Sequence, residues 1–486
     1  MKNSPFIVFS FIFFSFFSED NFSQNWTWDG EGPGIGSDAG NTKRIYYDSL
    51  ENTTYMCGWF KYFDGKEVNG VCKYDGANIY SLDTGGDNCG NIGCSGVGLR
   101  AIARYKGKLY FGFSEPSISG VPANGIATWD GTTWEPVGDG LTRFNGNHGS
   151  AMEMAVYKDE LYVFGYFQKA GNDTTYYMAK WDGENWHKVE HPYYHSTNNG
   201  PHFHGAIVFE DKLYVTGNFF LNSSGSISAV DVARYDGETW ETVGGGIKGG
   251  IDNGEGFVIY KNELYLYGTF RKTAGNAANK IMKLQNDQWV EVGGSLPHPG
   301  YKVHDALVFN DKLYIVGYFF EVGHGVPANN IAMWDGEKWC GLGSTFDNSI
   351  VAIGHFQDEL LIAGGFGIID GDTIHRFAKW TGGDFIDTCG LPVASSYLPE
   401  KQNHFSLHPN PAHTTLHITA TLPPGGPANP ALTARNLLGQ LLLRRELPAA
   451  GGVVRDTVDV SGWPPGVYFI TLEAGGQVVT ERVVVH

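Results

Sequence analysis

Apolar and polar positions alternate in short bursts along most of this chain, and the bursts recur. Residues 206–209 form an apolar run that ends at the polar pair Glu210-Asp211. A second alternating run, 213–219, closes in Gly217-Asn218-Phe219; a variable loop leads to residues 230–235, then Asp236-Gly237, then 239–243. Alternation over four to eight residues, bounded by turn residues, predicts strands. Asp-Gly supplies the left-handed backbone that a tight hairpin needs. The unit therefore reads as four short antiparallel strands.

The same unit returns. Leu213-Tyr214 with Tyr235-Asp236-Gly237 is matched by Leu313-Tyr314 with Trp334-Asp335-Gly336. Further copies begin at Leu109, Leu161 and Leu264, and degenerate ones at Thr54 and Leu360, so seven units follow one another at spacings of 47 to 55 residues. Four strands per unit at such a period is the pattern of a β-propeller. The expected fold is all-β: a seven-bladed β-propeller over residues 24–390. Residues 26–30 repeat the Trp-Asp-Gly motif with no unit before it. They are expected to lend a strand to the seventh blade, since an unpaired sheet edge is a liability.

Ala328-Asn329-Asn330-Ile331-Ala332-Met333-Trp334-Asp335-Gly336 and Ala123-Asn124-Gly125-Ile126-Ala127-Thr128-Trp129-Asp130-Gly131 resemble the propeller repeat of secreted bacterial proteins and of fungal cortical polarity markers. The likeness to kelch repeats is looser, with Gly364-Gly365 the one full doublet in a second strand. Sialidase boxes carry an Asp where Tyr235 stands. The resemblance implies a fold and a surface location for about residues 41–390, and brings no catalytic residues.

Composition changes near residue 400. No Lys follows Lys401, and five Arg balance five acidic residues after residue 404. Residues 391–404 read as a linker. From 405 on, about seven short strands predict a small β-sandwich. This segment resembles the type A C-terminal sorting domain of the type IX secretion system of Bacteroidetes. The matching residues are Phe405-Ser406-Leu407-His408-Pro409-Asn410-Pro411-Ala412, Asn436-Leu437-Leu438-Gly439-Gln440, Gly466-Val467-Tyr468-Phe469-Ile470 and Arg482-Val483-Val484-Val485. The resemblance implies the type IX machinery as partner, passage across the outer membrane, and removal of the tag near residues 391–405.

The N-terminus agrees. A basic start, an apolar run over 6–17 and a polar break at Ser18-Glu19-Asp20 have the layout of a secretory signal peptide. Cleavage is expected near Ser23/Gln24, with Ser18/Glu19 as the alternative. The expected location is extracellular or on the outer cell surface, after passage through the periplasm, with no stable membrane span. Export makes disulfides the leading reading of the six cysteines, Cys57, Cys72, Cys89, Cys94, Cys340 and Cys389. Cys57 aligns with Phe164 on a second strand and Cys72 with Ala179 on a third, so Cys57–Cys72 is the first expected pair. Cys89–Cys94 and Cys340–Cys389 follow.

Chemistry is sparse. A net charge of −18 over 486 residues, with acids scattered, argues against nucleic acid as a partner. Neither a nucleophile elbow, a zinc-protease helix, a phosphate loop nor a dinucleotide fingerprint is present. No cofactor is expected; Asp370-Gly371-Asp372 is the one hint of a Ca²⁺ loop, and it lacks the later ligands, so it reads as a turn. Aligned on the Leu-Tyr anchor, the residue nine positions earlier is Ile45, Arg100, Met152, His204, Glu255, His304 or Val351. Those seven positions would ring one mouth of a propeller channel, and Arg100, His204, Glu255 and His304 are the candidate ligand contacts. Other polar clusters are His187, His191, His195, His202 and His204, and the loop aromatics Tyr176-Tyr177 and Tyr193-Tyr194. The function expected is a non-catalytic binding or adhesion module for an extracellular glycan or protein. The alternative is a polysaccharide lyase or hydrolase at the propeller mouth, which would need paired carboxylates there.

Overall fold

In the computed structural model the described residues are 26–28, 32–35, 38–39, 41–82, 99–191, 193–194, 202–223, 226–229, 231–249, 253–380, 405–409, 412–421, 430–436, 440–450, 453–474 and 477–485. The signal-peptide segment, the linker, Cys89, Cys94, Cys389, His195, Asn410, Pro411 and Gly439 lie outside them. The chain is all-β, divided into two compact units, 1–391 and 392–486.

Among the described residues the first unit holds seven large four-stranded antiparallel sheets in chain order; all but the fifth, which carries the short 3₁₀ helix Lys272–Ala274, are accompanied by a small sheet of two to four short strands. Sheet 3 is representative, with strands Ser150–Tyr157, Glu160–Tyr166, Met178–Trp181 and Trp186–Lys188 paired in sequence. The first strands touch in cyclic order, and that of sheet 1 (Asn41–Asp48) contacts those of both sheet 2 (Ala101–Tyr105) and sheet 7 (Ile350–Phe356). Thr54 Oγ1 donates to the His355 carbonyl at 2.7 Å, joining sheets 1 and 7.

The Leu-Tyr anchor follows from this packing. Successive strand residues face opposite sides, and here both sides are buried. Leu161 and Val163 pack among residues of sheet 2, whereas Tyr162 and Phe164 pack among residues of sheet 4. The Asp-Gly turns are built as the sequence predicts. Gly237 has φ +106°, and the Asp236 carboxylate accepts the Glu238 and Thr239 backbone N–H groups at 2.8 and 2.7 Å. The Trp after each turn reaches back one sheet. Trp134, Trp186, Trp240, Trp289 and Trp339 donate their indole N–H to the carbonyls of Leu82, Val137, Glu190, Val243 and Val292.

Sheet 7 takes its outer strand from the N-terminus. Trp26–Thr27 pairs antiparallel with Phe377–Trp380, giving the order Trp26–Thr27, Phe377–Trp380, Glu359–Gly364, Ile350–Phe356. Residues 26–27 thus stand where each other sheet has its fourth strand.

The expected Cys57–Cys72 bridge is absent: both are free and buried. Register explains why. Cys57 pairs with Val71, and Cys72 with Met56. The two cysteines are one position out of step and face opposite sides, Cys57 toward sheet 2 and Cys72 toward sheet 7. Cys340 is disulfide-bonded, to a residue outside those described.

The second unit holds two four-stranded antiparallel sheets. One runs Phe405–His408, Thr415–Thr421, Val453–Asp459, Ala449–Ala450, and the other Leu441–Glu446, Ala431–Asn436, Gly466–Ala474, Gln477–Val485. Alternate residues Leu416, Ile418, Leu432, Ile470 and Leu472 share one core. Tyr468 is buried and donates its hydroxyl to the Pro464 carbonyl at 2.6 Å, two residues before Gly466. Among the described residues no helix is long and apolar enough to cross a membrane.

Candidate functional site

Six of the seven first strands contain a one-residue bulge near their start, as between Phe203 and Gly205 or Val303 and Asp305. A bulge leaves one residue out of the ladder and re-aims its side chain. The bulged residues are Lys43, Met152, His204, Glu255, His304 and Val351. Arg100 stands at the matching place in sheet 2, its N–H donating to the Gly112 carbonyl at 3.0 Å. All of them line one cavity of ≈ 180 Å³.

The structure therefore brings together the four candidate residues Arg100, His204, Glu255 and His304, with Met152 and Val351. Ile45 is the exception: it is buried in the core facing sheet 7, and Lys43 takes its place. The cause is local. Other first hairpins turn in two residues, such as Lys158-Asp159 with φ +48° and +58°. In sheet 1, Asp48 pairs with Thr53, so the turn is two residues longer and the count back from the anchor changes.

The residues following the ring positions are Arg44, Ala101, Glu153, Gly205, Gly256, Asp305 and Ala352; of these, Arg44 and Asp305 line the cavity and form its floor together with Tyr267. Three of the seven are charged and the other four are Gly or Ala. At Gly256 a Cβ would come within 2.3 Å of the Tyr267 hydroxyl. Arg44 of sheet 1 donates across to Glu153 of sheet 3 at 2.5 Å. Tyr267 donates to Asp305 Oδ1 at 3.2 Å, and the Ile353 and Ala306 N–H groups also donate to that carboxylate, at 3.1 and 2.9 Å. Glu153 raises the pKa of Arg44, whereas burial raises those of Asp305 and Tyr267. Sequence reading missed this layer. Its signal was the residue after each ring position, charged in three units and small in four.

Above the floor the charges are less well matched. His204 Nδ1 lies 3.3 Å from the Gly254 carbonyl and 3.8 Å from Glu255 Oε2. Burial lowers the pKa of His304; Glu255 opposes that shift, and Lys302 and Lys43 add to it. Burial and then the neighbouring Arg100 charge lower the pKa of Lys43, with Glu255 opposing. Burial also lowers that of Arg100, whose Nε is buried with no hydrogen-bond partner. Among the described residues neither Lys43 nor Arg100 forms an ion pair.

Aromatic residues stand at the same end of the sheets. Trp59, Tyr166 and Tyr318 close their second strands opposite Asn41, Ser150 and Lys302, two residues before the respective bulges. Trp59 is 43% exposed and Tyr318 44%, and Phe320 packs edge-on to Tyr318 at 5.4 Å. The Arg143 guanidinium lies 4.4 Å over the Tyr166 ring, and the His202 ring is stacked parallel to that of Tyr166 with centroids 6.4 Å apart. These aromatics are the middle residue of Gly-x-Phe, a signal visible in the sequence.

The remaining candidates do not converge. His187 binds the Asp182 carboxylate at 2.7 Å, and His191 meets the Tyr176 carbonyl at 2.6 Å. Tyr176 packs edge-on to Phe144 at 5.5 Å. Asp370 Oδ1 accepts from the Thr345 backbone N–H and hydroxyl at 2.7 and 3.0 Å, in a hairpin turn whose Gly371 has φ +97°. Among the described residues no group of three or more His, Cys, Asp or Glu could hold a metal ion.

The tail of this all-β chain supports a secreted cargo protein of the type IX secretion system. Residues 406–486 match the family model described as the secretion system C-terminal sorting domain. That domain indicates export to the cell surface or extracellular space and engagement with the secretion machinery. No curated protein matches the chain. A solved structure that it resembles is dimeric latent PorU from Porphyromonas gingivalis, at 10% identity and a TM-score of 0.15. The match covers 61% of this chain and 34% of PorU, about a third of that protein's length.

Proposed function

We propose that the seven sheets are the blades of a seven-bladed β-propeller over residues 24–390, and that it works outside the cell as a non-catalytic binding module for a glycan or protein. Cyclic contact of the first strands and the shared seventh sheet support the propeller. The observation that carries the binding role is the cavity itself. Seven equivalent positions converge on it, five of them polar, and exposed aromatics flank it at the same sheet ends. An apolar ring would have served packing alone; mixed polar groups beside exposed rings suit a polar ligand with apolar faces, as sugars have.

A lyase or hydrolase is the second reading, because Glu255 and Asp305 share the cavity with two histidines. A glycan array probed with the full chain, followed by a reducing-end assay on each bound glycan, separates the two. Binding without turnover is expected. Release of new sugar ends would replace the binding role with catalysis, and an empty array would remove glycans as ligands.

A further inference from the structure

This inference rests on the glycan-binding reading of the same cavity and names the ligand class. Lys43 and Arg100 project from adjacent sheets into one confined space. Burial and then the Arg100 charge lower the pKa of Lys43, and burial lowers that of Arg100; like charges held close in a partly desolvated site are destabilising. Carboxylates elsewhere in the cavity are already engaged. Glu153 is bound by Arg44, Asp305 accepts three hydrogen bonds, and Glu255 sits beside His204. Glu255 offsets part of the repulsion at Lys43, yet among the described residues neither cation forms an ion pair, which leaves room for an outside anion between them. Beside the pair, in the same strand pairing, Trp59 offers an exposed ring two residues from Lys43, roughly 7 Å along the strand.

We propose that the cavity mouth binds an acidic oligosaccharide, with its anionic group between Lys43 and Arg100 and a neighbouring sugar face on Trp59. A guanidinium and an ammonium together accept a carboxylate or a sulfate. The aromatic ring supplies the apolar contact that a free anion would not need.

The test is calorimetric titration of the full chain with trigalacturonate, its methyl ester, and a sulfated galactose trimer. The free acid should bind at least ten-fold more tightly than the ester, with the advantage shrinking as salt rises. In Lys43→Met/Arg100→Met the acid and ester should bind alike. In Trp59→Ala both should weaken together. Binding of the sulfated trimer but not the acid would assign the anion as sulfate. Equal binding of acid and ester by the unaltered chain overturns the anionic site and leaves glycan binding standing. An unchanged acid preference in the double variant overturns the assignment to these residues. No binding of any of the three overturns this inference, and the array decides the broader reading separately. Unfolding curves of the variants show whether they fold; Lys43 and Trp59 are exposed and Arg100 is half-buried. Should the double variant misfold, Arg100→Lys, which keeps charge but removes the fork, is expected to lose part of the preference.

Discussion

Trp26 and Trp380 face each other across paired strands, their rings 4.9 Å apart and inclined at 71°, although they stand at opposite ends of the repeat region. The same pairing joins Trp129 to Trp134 and Trp334 to Trp339, with rings 5.0 and 5.1 Å apart. In those sheets only an Asp-Gly turn separates the partners.

Trp26 is fully buried. Replacing it with Ala should cost about 3–5 kcal/mol, the usual loss for a large aromatic removed from a core. It should also bare the Phe377–Trp380 strand as an edge and promote aggregation. Urea unfolding followed by fluorescence measures the first, and light scattering the second. A midpoint equal to that of the unaltered chain would show that the N-terminal strand holds nothing together.

Trp186→Phe keeps an aromatic ring, though a smaller one, and removes the N–H that meets the Val137 carbonyl at 3.0 Å. An orphaned buried carbonyl costs about 1–3 kcal/mol. Trp240→Phe should cost less, because its bond to the Glu190 carbonyl is exposed. Similar losses at both positions would mean that burial of the bond does not set its cost.

Asp231 is buried at positive φ and accepts the Phe219 N–H, as Asn330 does for Phe319 in sheet 6. Burial raises its pKa to about 7. A carboxyl raised in the folded state binds more protons there than in the unfolded chain, so its contribution to stability falls as pH rises from about 4 to 7. Asp231→Asn should therefore stabilise the protein at pH 8, by on the order of 2 kcal/mol, and change little at pH 4. Thermal melts at both values test this; a stabilisation independent of pH would refute the ionisation account.

Burial pushes the Cys57 thiol up to about 12, and that of Cys72 is raised by the same cause. Neither should react with iodoacetamide in the native protein at pH 8, and both should react once it is unfolded without reductant. Peptide mass mapping reads this out. A Cys57–Cys72 disulfide found there would contradict the register.

The tag is expected to be removed after export. Intact mass of the protein recovered outside native cells should correspond to a C-terminus within residues 391–405, and deletion of 405–486 should leave the protein in the periplasm. Undiminished export of the truncated chain would be incompatible with the sorting role.

Much of this was legible because repetition exposes its own rules. The Leu-Tyr anchor, the Asp-Gly turn and the following Trp each do the same job wherever they recur, so their spacing marked the strands. Six cavity residues were found by counting back from the anchor, since a strand of constant length returns to the same place. The count failed at Ile45, where the turn ending at Thr53 is two residues longer. It failed at Cys57 and Cys72, where one position of register exchanges the two faces of a sheet. Arg44, Glu153 and Asp305 escaped because a charged residue inside a strand looks solvated until its neighbours across the centre are known to be Gly and Ala.

The pairing of Trp26 with Trp380 also sets an order in time. During synthesis residue 26 emerges first, and its partner strand only after every intervening sheet has been made. The sorting domain comes later still, from residue 406. A chain cut short by a stalled ribosome lacks the tag whenever it lacks the partner strand, so interrupted products carry no export address. Placing the address after the closing strand makes it a receipt for a finished body, issued without any dedicated inspection.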